Sequence, residues 1–247
     1  MSRKAKIIGI GSYLPSRTVS NHDLSKILDT SDEWITSRSG IKQRHRAADG
    51  EATSDIALAA AQQALGNAGI TANDIDMIIV STTTPDLTFP ATAALVQKKL
   101  GISQGSAFDV QAVCSGFVYG LSVASAMVET GNSERALLIG AETMTRLLDW
   151  EDRATAVLFG DGGGAVVLEA TDVIAESEPH IIGSYLRSDG NLTDLLYVDG
   201  GPSTTGTTGK LRMQGREVYR HAVGKIAEAI SSLLRRHALT VDDIDWF

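Results

Sequence analysis

The chain has little of what ties small secreted or metal-dependent proteins together. It contains one cysteine, Cys114, in 247 residues. No intrachain disulfide and no multi-cysteine metal site can therefore form. Its five histidines (His22, His45, His180, His221 and His237) are scattered, with no HExxH-like spacing, so no metal is expected. No run of about 18 apolar residues is present to cross a bilayer as a helix. The opening MSRKAKIIGIGSYL lacks the long apolar stretch and small-residue cleavage site of a signal peptide. A cytoplasmic protein is expected. The net charge of −8 argues against nucleic acid as the main partner.

What is present is glycine (24 residues) with few aromatics (5%), a composition suited to tightly packed α/β layers. Residues 6–14, 76–82, 107–113, 136–142, 155–159, 165–169 and 181–186 read as strands. Several are nearly continuous apolar runs, as strands buried on both faces should be. Helices are expected over 53–68, with Thr53, Ser54 and Asp55 as capping candidates, and over 91–100 and 114–130. Each ends at a glycine. This alternation implies α/β architecture with a mostly parallel sheet covered by helices. The GGPSTTGTTG stretch at 200–209 reads as a mobile loop.

An internal repeat divides the chain. LGNAGITANDIDM (65–77) and LRRHALTVDDIDW (234–246) match at five of thirteen positions, at an offset of 169. Chance would give roughly one. Each reads as a helix end, a turn and the start of a strand. We therefore expect a first half at residues 1–171 and a similar but incomplete second half at 172–247, short by roughly 70–90 residues.

Cys114 follows an apolar strand and opens an amphipathic helix, in SAFDVQAVCSGFVYGLSVASAMVETG (106–131). At a helix N-terminus, free N–H groups and the helix dipole favour a thiolate and can receive an oxyanion. Ser115 and Gly116 leave room for a substrate. A buried structural cysteine would also fit this position.

The segment AFDVQAVCSGF is similar to the nucleophile motif of β-ketoacyl-acyl carrier protein synthase III. GIGSYLP (9–15), DTSDEWITSRSGIKQRH (29–45), FPATAA (89–94), DRATAVLFGDGGGAVVL (152–168) and MQGREVYRHAV (213–223) resemble the same family in the same order. The resemblance implies the thiolase fold, two similar halves in αβαβα layers, and a homodimer formed through first-half strands. It implies that Cys114 takes an acyl group from acyl-CoA and then condenses it with malonyl-acyl carrier protein, releasing carbon dioxide. Coenzyme A thioester is the substrate, and no cofactor is implied. The family's second-half His and Asn are expected beyond the Asp245–Trp246 motif, so His221 and His237 are not assigned in their place. A protein of these 247 residues is expected to load an acyl group but not to decarboxylate malonyl at a full rate.

By the same resemblance, Trp34 and Arg153 would sandwich the adenine of coenzyme A, and Thr30 and Arg38 would contact its nucleotide. Gly215 and Tyr219 would line the pantetheine tunnel, although the family often has Phe at the latter. Phe89 would reach the partner's acyl pocket and favour acetyl or other short chains. Dimer packing is the competing role. The FGDGGGA segment (159–165) has no P-loop Lys and reads as a turn between strands.

Arg212, Arg216 and Arg220, spaced i, i+4, i+8, would form one basic helical stripe beside Lys210, a docking face for an acidic carrier protein or simply a solvated surface. Two other readings compete: another thiolase-fold 3-oxoacyl synthase or thiolase, and an inactive fragment lacking the second-half His and Asn.

Overall fold

The computed structural model describes residues 2–173 and 179–247. In chain order the elements begin with β1 (Ser2–Tyr13), β2 (Arg17–Ser20), α1 (Asn21–Ser25), α2 (Asp32–Ser39) and β3 (Gln43–Arg46). Then come α3 (Thr53–Ala68), β4 (Met77–Ser81), α4 (Thr92–Leu100), β5 (Ser106–Val110), α5 (Gly116–Glu129) and β6 (Arg135–Thr143). The remainder is α6 (Arg153–Ala156), β7 (Asp161–Val173), β8 (Leu196–Val198), β9 (Leu211–Met213) and α7 (Gly215–Arg236). Two compact units emerge. The first holds residues 1–20, 43–145 and 160–181; the second holds 21–42, 146–159 and 182–247.

The first unit is built on a five-stranded sheet of order β1-β7-β6-β4-β5. β6, β4 and β5 run parallel, while β7 is antiparallel to both neighbours. The expected mostly parallel sheet is therefore mixed. Side chains alternate across β4 and β6. Ile78, Val80, Leu137 and Ile139 pack with Ile56, Ala57, Ala60 and Ala64 of α3. Met77, Ile79, Ala136 and Leu138 pack with Ala124 and Val128 of α5. Burial on both faces explains the unbroken apolar runs, each Leu or Ile contributing about 1.5–3 kcal/mol.

Glycines set the closest approach. A Cβ at Gly9 or Gly11 of β1 would overlap the carbonyls of Ala64 and Ala60 on α3. Asp86 accepts from the Ser54 backbone N–H (2.9 Å) and Asp55 from that of Ala52 (2.9 Å), which caps α3. Ala52, rather than Thr53, Ser54 or Asp55, is the N-cap.

Further expectations change. Residues 155–159 are not a strand: Asp152 accepts from the Ala154 N–H (2.9 Å) and the Thr155 hydroxyl (2.7 Å), starting α6 despite the β-favouring Thr and Val. The glycines 162–164 are not a turn but the start of β7, paired with 140–142 on one side and 12–13 on the other. Their lack of side chains leaves room for Ile56, as Gly163 shows. After Ile181 donates to the Ala5 carbonyl, residues 182–186 form no strand. There Gly183 lies against the His237 ring, where a Cβ would overlap it. Residues 200–209, expected as a mobile loop, form the tip of the β8–β9 hairpin, closed by a Gly201–Thr207 bridge.

The repeat is structural. Ile70 N–H donates to the Leu65 carbonyl, and Leu239 N–H to that of Leu234. Thr71 and Thr240 then start matching capping boxes with Asp74 and Asp243. Backbone N–H distances are 2.8 Å in both copies, and hydroxyl distances 2.7 Å. The strand that follows in the first copy, β4, has no counterpart at 244–247. Among the described residues no helix is long and apolar enough to cross a membrane.

Candidate functional site

Cys114 sits where the sequence reading puts it, between a strand and a helix. β5 ends at Val110, and Val113–Ser115 form a short 3-10 turn before α5. Helix α5 therefore begins two residues later than expected. Cys114 is exposed, so the buried structural reading does not hold. Val113 has φ 51°, a left-handed conformation that a β-branched side chain adopts only under strain. That kink turns the chain sharply from strand to helix at the cysteine.

Behind it the helix is pinned. The Ser81 hydroxyl donates to the Gly116 carbonyl (2.9 Å), and a Cβ at Gly120 would meet Leu138 at 2.5 Å. The first turn of α5 has no side-chain cap, and its Gly116 N–H donates to the Val113 carbonyl. Phe89, in the same unit, lies on the β4–α4 connection and is 82% exposed.

The second unit brings the expected nucleotide-binding side chains together. Ser31 caps α2 by accepting from the Trp34 N–H (3.1 Å). The Arg38 guanidinium lies 4.6 Å from the Trp34 ring centroid, one turn along the helix. Arg153, opening α6, lies 4.9 Å from the same ring and donates to the Asp29 carbonyl (2.8 Å). Trp34 and Arg153 are thus in mutual contact, and a base entering between them must displace the guanidinium. The Thr30 hydroxyl is buried without a hydrogen-bond partner among the described residues. An orphaned donor there fits a site that a polar ligand completes.

Gly215 begins α7, and Tyr219, one turn on, is 74% exposed. The three arginines do not form one helical stripe, because α7 starts only at Gly215. Arg212 lies on β9, held by Asp199 (2.8 Å) and Asp149 (2.9 Å), which raise its guanidinium pKa. It lowers the Asp149 carboxyl, while Asp199 is lowered first by the Lys210 backbone N–H and then by Arg212. Lys210 donates to the Leu148 carbonyl (3.0 Å). Arg220 pairs with Glu217 (2.6 Å), while Arg216 is exposed.

The sequence reading missed two carboxylates that shape the first unit. Asp109 on β5 accepts from the N–H groups of Thr92 and Ala93 (2.7 and 2.8 Å), starting α4. Glu142 on β6 collects the Thr83–Thr84 donors. The only signal for either is an acid within an apolar run.

Comparison with known proteins decides the family. A curated β-ketoacyl-[acyl-carrier-protein] synthase III from Caulobacter vibrioides is 58% identical, over 99% of this chain and 76% of the relative. The chain belongs to the β-ketoacyl-acyl carrier protein synthase III family. The family model for 3-oxoacyl-[acyl-carrier-protein (ACP)] synthase III matches residues 108–190, which include Cys114 and Arg153. The crystal structure of the 3-oxoacyl-(acyl carrier protein) synthase III of Pseudomonas aeruginosa superposes with a TM-score of 0.90 at 40% identity, over 98% of this chain and 73% of that one. A priming β-ketosynthase of a polyketide pathway gives a TM-score of 0.90 at 34% identity, with 98% and 73% covered. The synthase III chain thus has the thiolase fold and is an acyltransferase.

Proposed function

We propose that this synthase III initiates fatty acid synthesis, with Cys114 loaded from acetyl-CoA or another short acyl-CoA. The observation that carries this is the exposed sulfur at a strained strand-to-helix turn, at the N-terminus of a helix with no side-chain cap. The sulfur attacks the thioester carbonyl, the amides receive the oxyanion, and coenzyme A leaves as its thiol. The acyl group then passes from Cys114 to the carbanion formed as malonyl-acyl carrier protein loses carbon dioxide, giving 3-oxoacyl-acyl carrier protein. Two substrates served in turn make the kinetics ping-pong. The thioesters are substrates, and no further cofactor enters.

Trp34, Arg153, Arg38 and Thr30 would hold the nucleotide of coenzyme A, and Gly215 and Tyr219 would line the approach of its pantetheine arm. The stacked indole and guanidinium groups and the orphaned Thr30 hydroxyl support this assignment. Arg216 and Arg220 on α7, with Arg212 beside them in sequence, would face the acidic carrier protein.

A homodimer in the cytoplasm completes the proposal. β5 is an edge strand with no Lys or Pro to protect it, as a strand paired across a dimer would be. The duplicated helix–turn motif supports a division into two related halves, 1–171 and 172–247. Labelled acetyl-CoA followed by a chase of malonyl-acyl carrier protein tests the reading by the destination of the label. Label on the carrier protein with release of carbon dioxide supports it. Transfer to coenzyme A alone would point to a thiolase.

A further inference from the structure

The connection from β4 to α4 presents Phe89 almost bare, yet it is tied down on both sides of its tip. Glu142 of β6 accepts from the Thr83 N–H (2.7 Å), the Thr83 hydroxyl (3.0 Å) and the Thr84 hydroxyl (2.6 Å). Thr84 is locked in turn: its hydroxyl accepts from the Thr143 N–H (2.9 Å), and its carbonyl from the Thr53 hydroxyl (2.6 Å). Asp86 grips Ser54, and Asp109 grips the amides at the far end. Between Asp86 and Thr92, Leu87 and Phe89 stand 53% and 82% exposed.

Glu142 is an expensive way to build a mere tie. Burial pushes its carboxyl up, against the threonine donors that favour the anion. Three donors converging on one group need an acceptor-only partner, which a carboxylate is and a carboxamide is not.

We propose that Glu142 is a positioning residue for Phe89, and that through it the anion helps set which acyl chains the enzyme accepts. This rests on the reading of Phe89 as a wall of the partner's acyl pocket.

The test uses the full chain with 4-fluorophenylalanine at its five phenylalanines. Cys114 loading from acetyl-, butyryl- and hexanoyl-CoA is followed by intact mass in the wild type, Phe89→Ala, Glu142→Gln and the double variant. Phe89→Ala should raise the hexanoyl-to-acetyl rate ratio about tenfold or more. Glu142→Gln should raise it in the same direction with little change in the acetyl rate, and should add nothing in the Phe89→Ala background. It should also shift or broaden the Phe89 fluorine signal and leave the other four in place. Thr84→Val, which keeps the shape but removes one donor to Glu142 and the acceptor of the Thr143 N–H, should do the same more weakly and serves if Glu142→Gln does not fold. A parallel fall in all three loading rates, or an unchanged Phe89 signal, would overturn the positioning role. An unmoved ratio in Phe89→Ala together with a moved Phe89 signal in Glu142→Gln would sink the pocket reading and the selectivity claim, leaving the mechanical tie intact.

Discussion

The guanidinium of Arg153 rests on the indole of Trp34, 4.9 Å from its centroid, though the two lie 119 positions apart in the chain. If adenine inserts here, as proposed, it opens this contact, so both partners should bear on coenzyme A binding and neither on the chemistry at sulfur. Trp34→Ala should weaken coenzyme A binding by about tenfold or more, the size of one lost stacking interaction. Calorimetry should show it, with the single-turnover loading rate at saturating acetyl-CoA unchanged.

Ala238 occupies the repeat position of Gly69, and both residues are left-handed, at φ 53° and 68°. A Cβ there costs energy that glycine does not incur. Ala238→Gly should therefore stabilise the chain by roughly 0.5–1 kcal/mol, and Gly69→Ala should destabilise it by at least as much. Denaturant unfolding measures both.

Arg212 and Arg216 should separate in their effects. Arg212 is fixed between Asp149 and Asp199, so Arg212→Ala should lower the melting temperature and disorder the β8–β9 hairpin. Arg216 is exposed, so Arg216→Glu should leave melting unchanged while raising KM for malonyl-acyl carrier protein several-fold. Acetyl-CoA loading should be unaffected. Equal effects of Arg216→Glu on both substrates would contradict docking at α7.

Asp189 is held at a pKa of about 2, first by Lys225 (2.8 Å) and then by Asn191. Its folded pKa lies below its unfolded one, so this tether is fully present above about pH 4. It is lost as pH falls through about 2. Carboxyl NMR should show a midpoint near 2 in the wild type, moved back toward 3.8 in Lys225→Met.

Part of this molecule was legible in its sequence. The position of Cys114 and the repeat rest on local pattern, a strand run into a cysteine and a helix–turn with the same capping residues. Residues 155–159 were misread because the β-preference of Thr155 and Val157 was weighed without the Asp152 cap that overrides it. The glycines at 162–164 look like a turn until β1 and β6 are seen on either side of them. Glu142 was missed because a lone acid after an apolar strand looks like a solvated strand end; its threonine donors lie some sixty residues earlier. The Trp34–Arg153 contact was expected only from family resemblance, since nothing local links the two.

The most direct measurement is intact mass spectrometry after brief exposure to acetyl-CoA. We expect one acetyl adduct, labile to hydroxylamine, mapped to Cys114 and absent from Cys114→Ser. No adduct, or one that survives Cys114→Ser, would contradict Cys114 as the acyl acceptor.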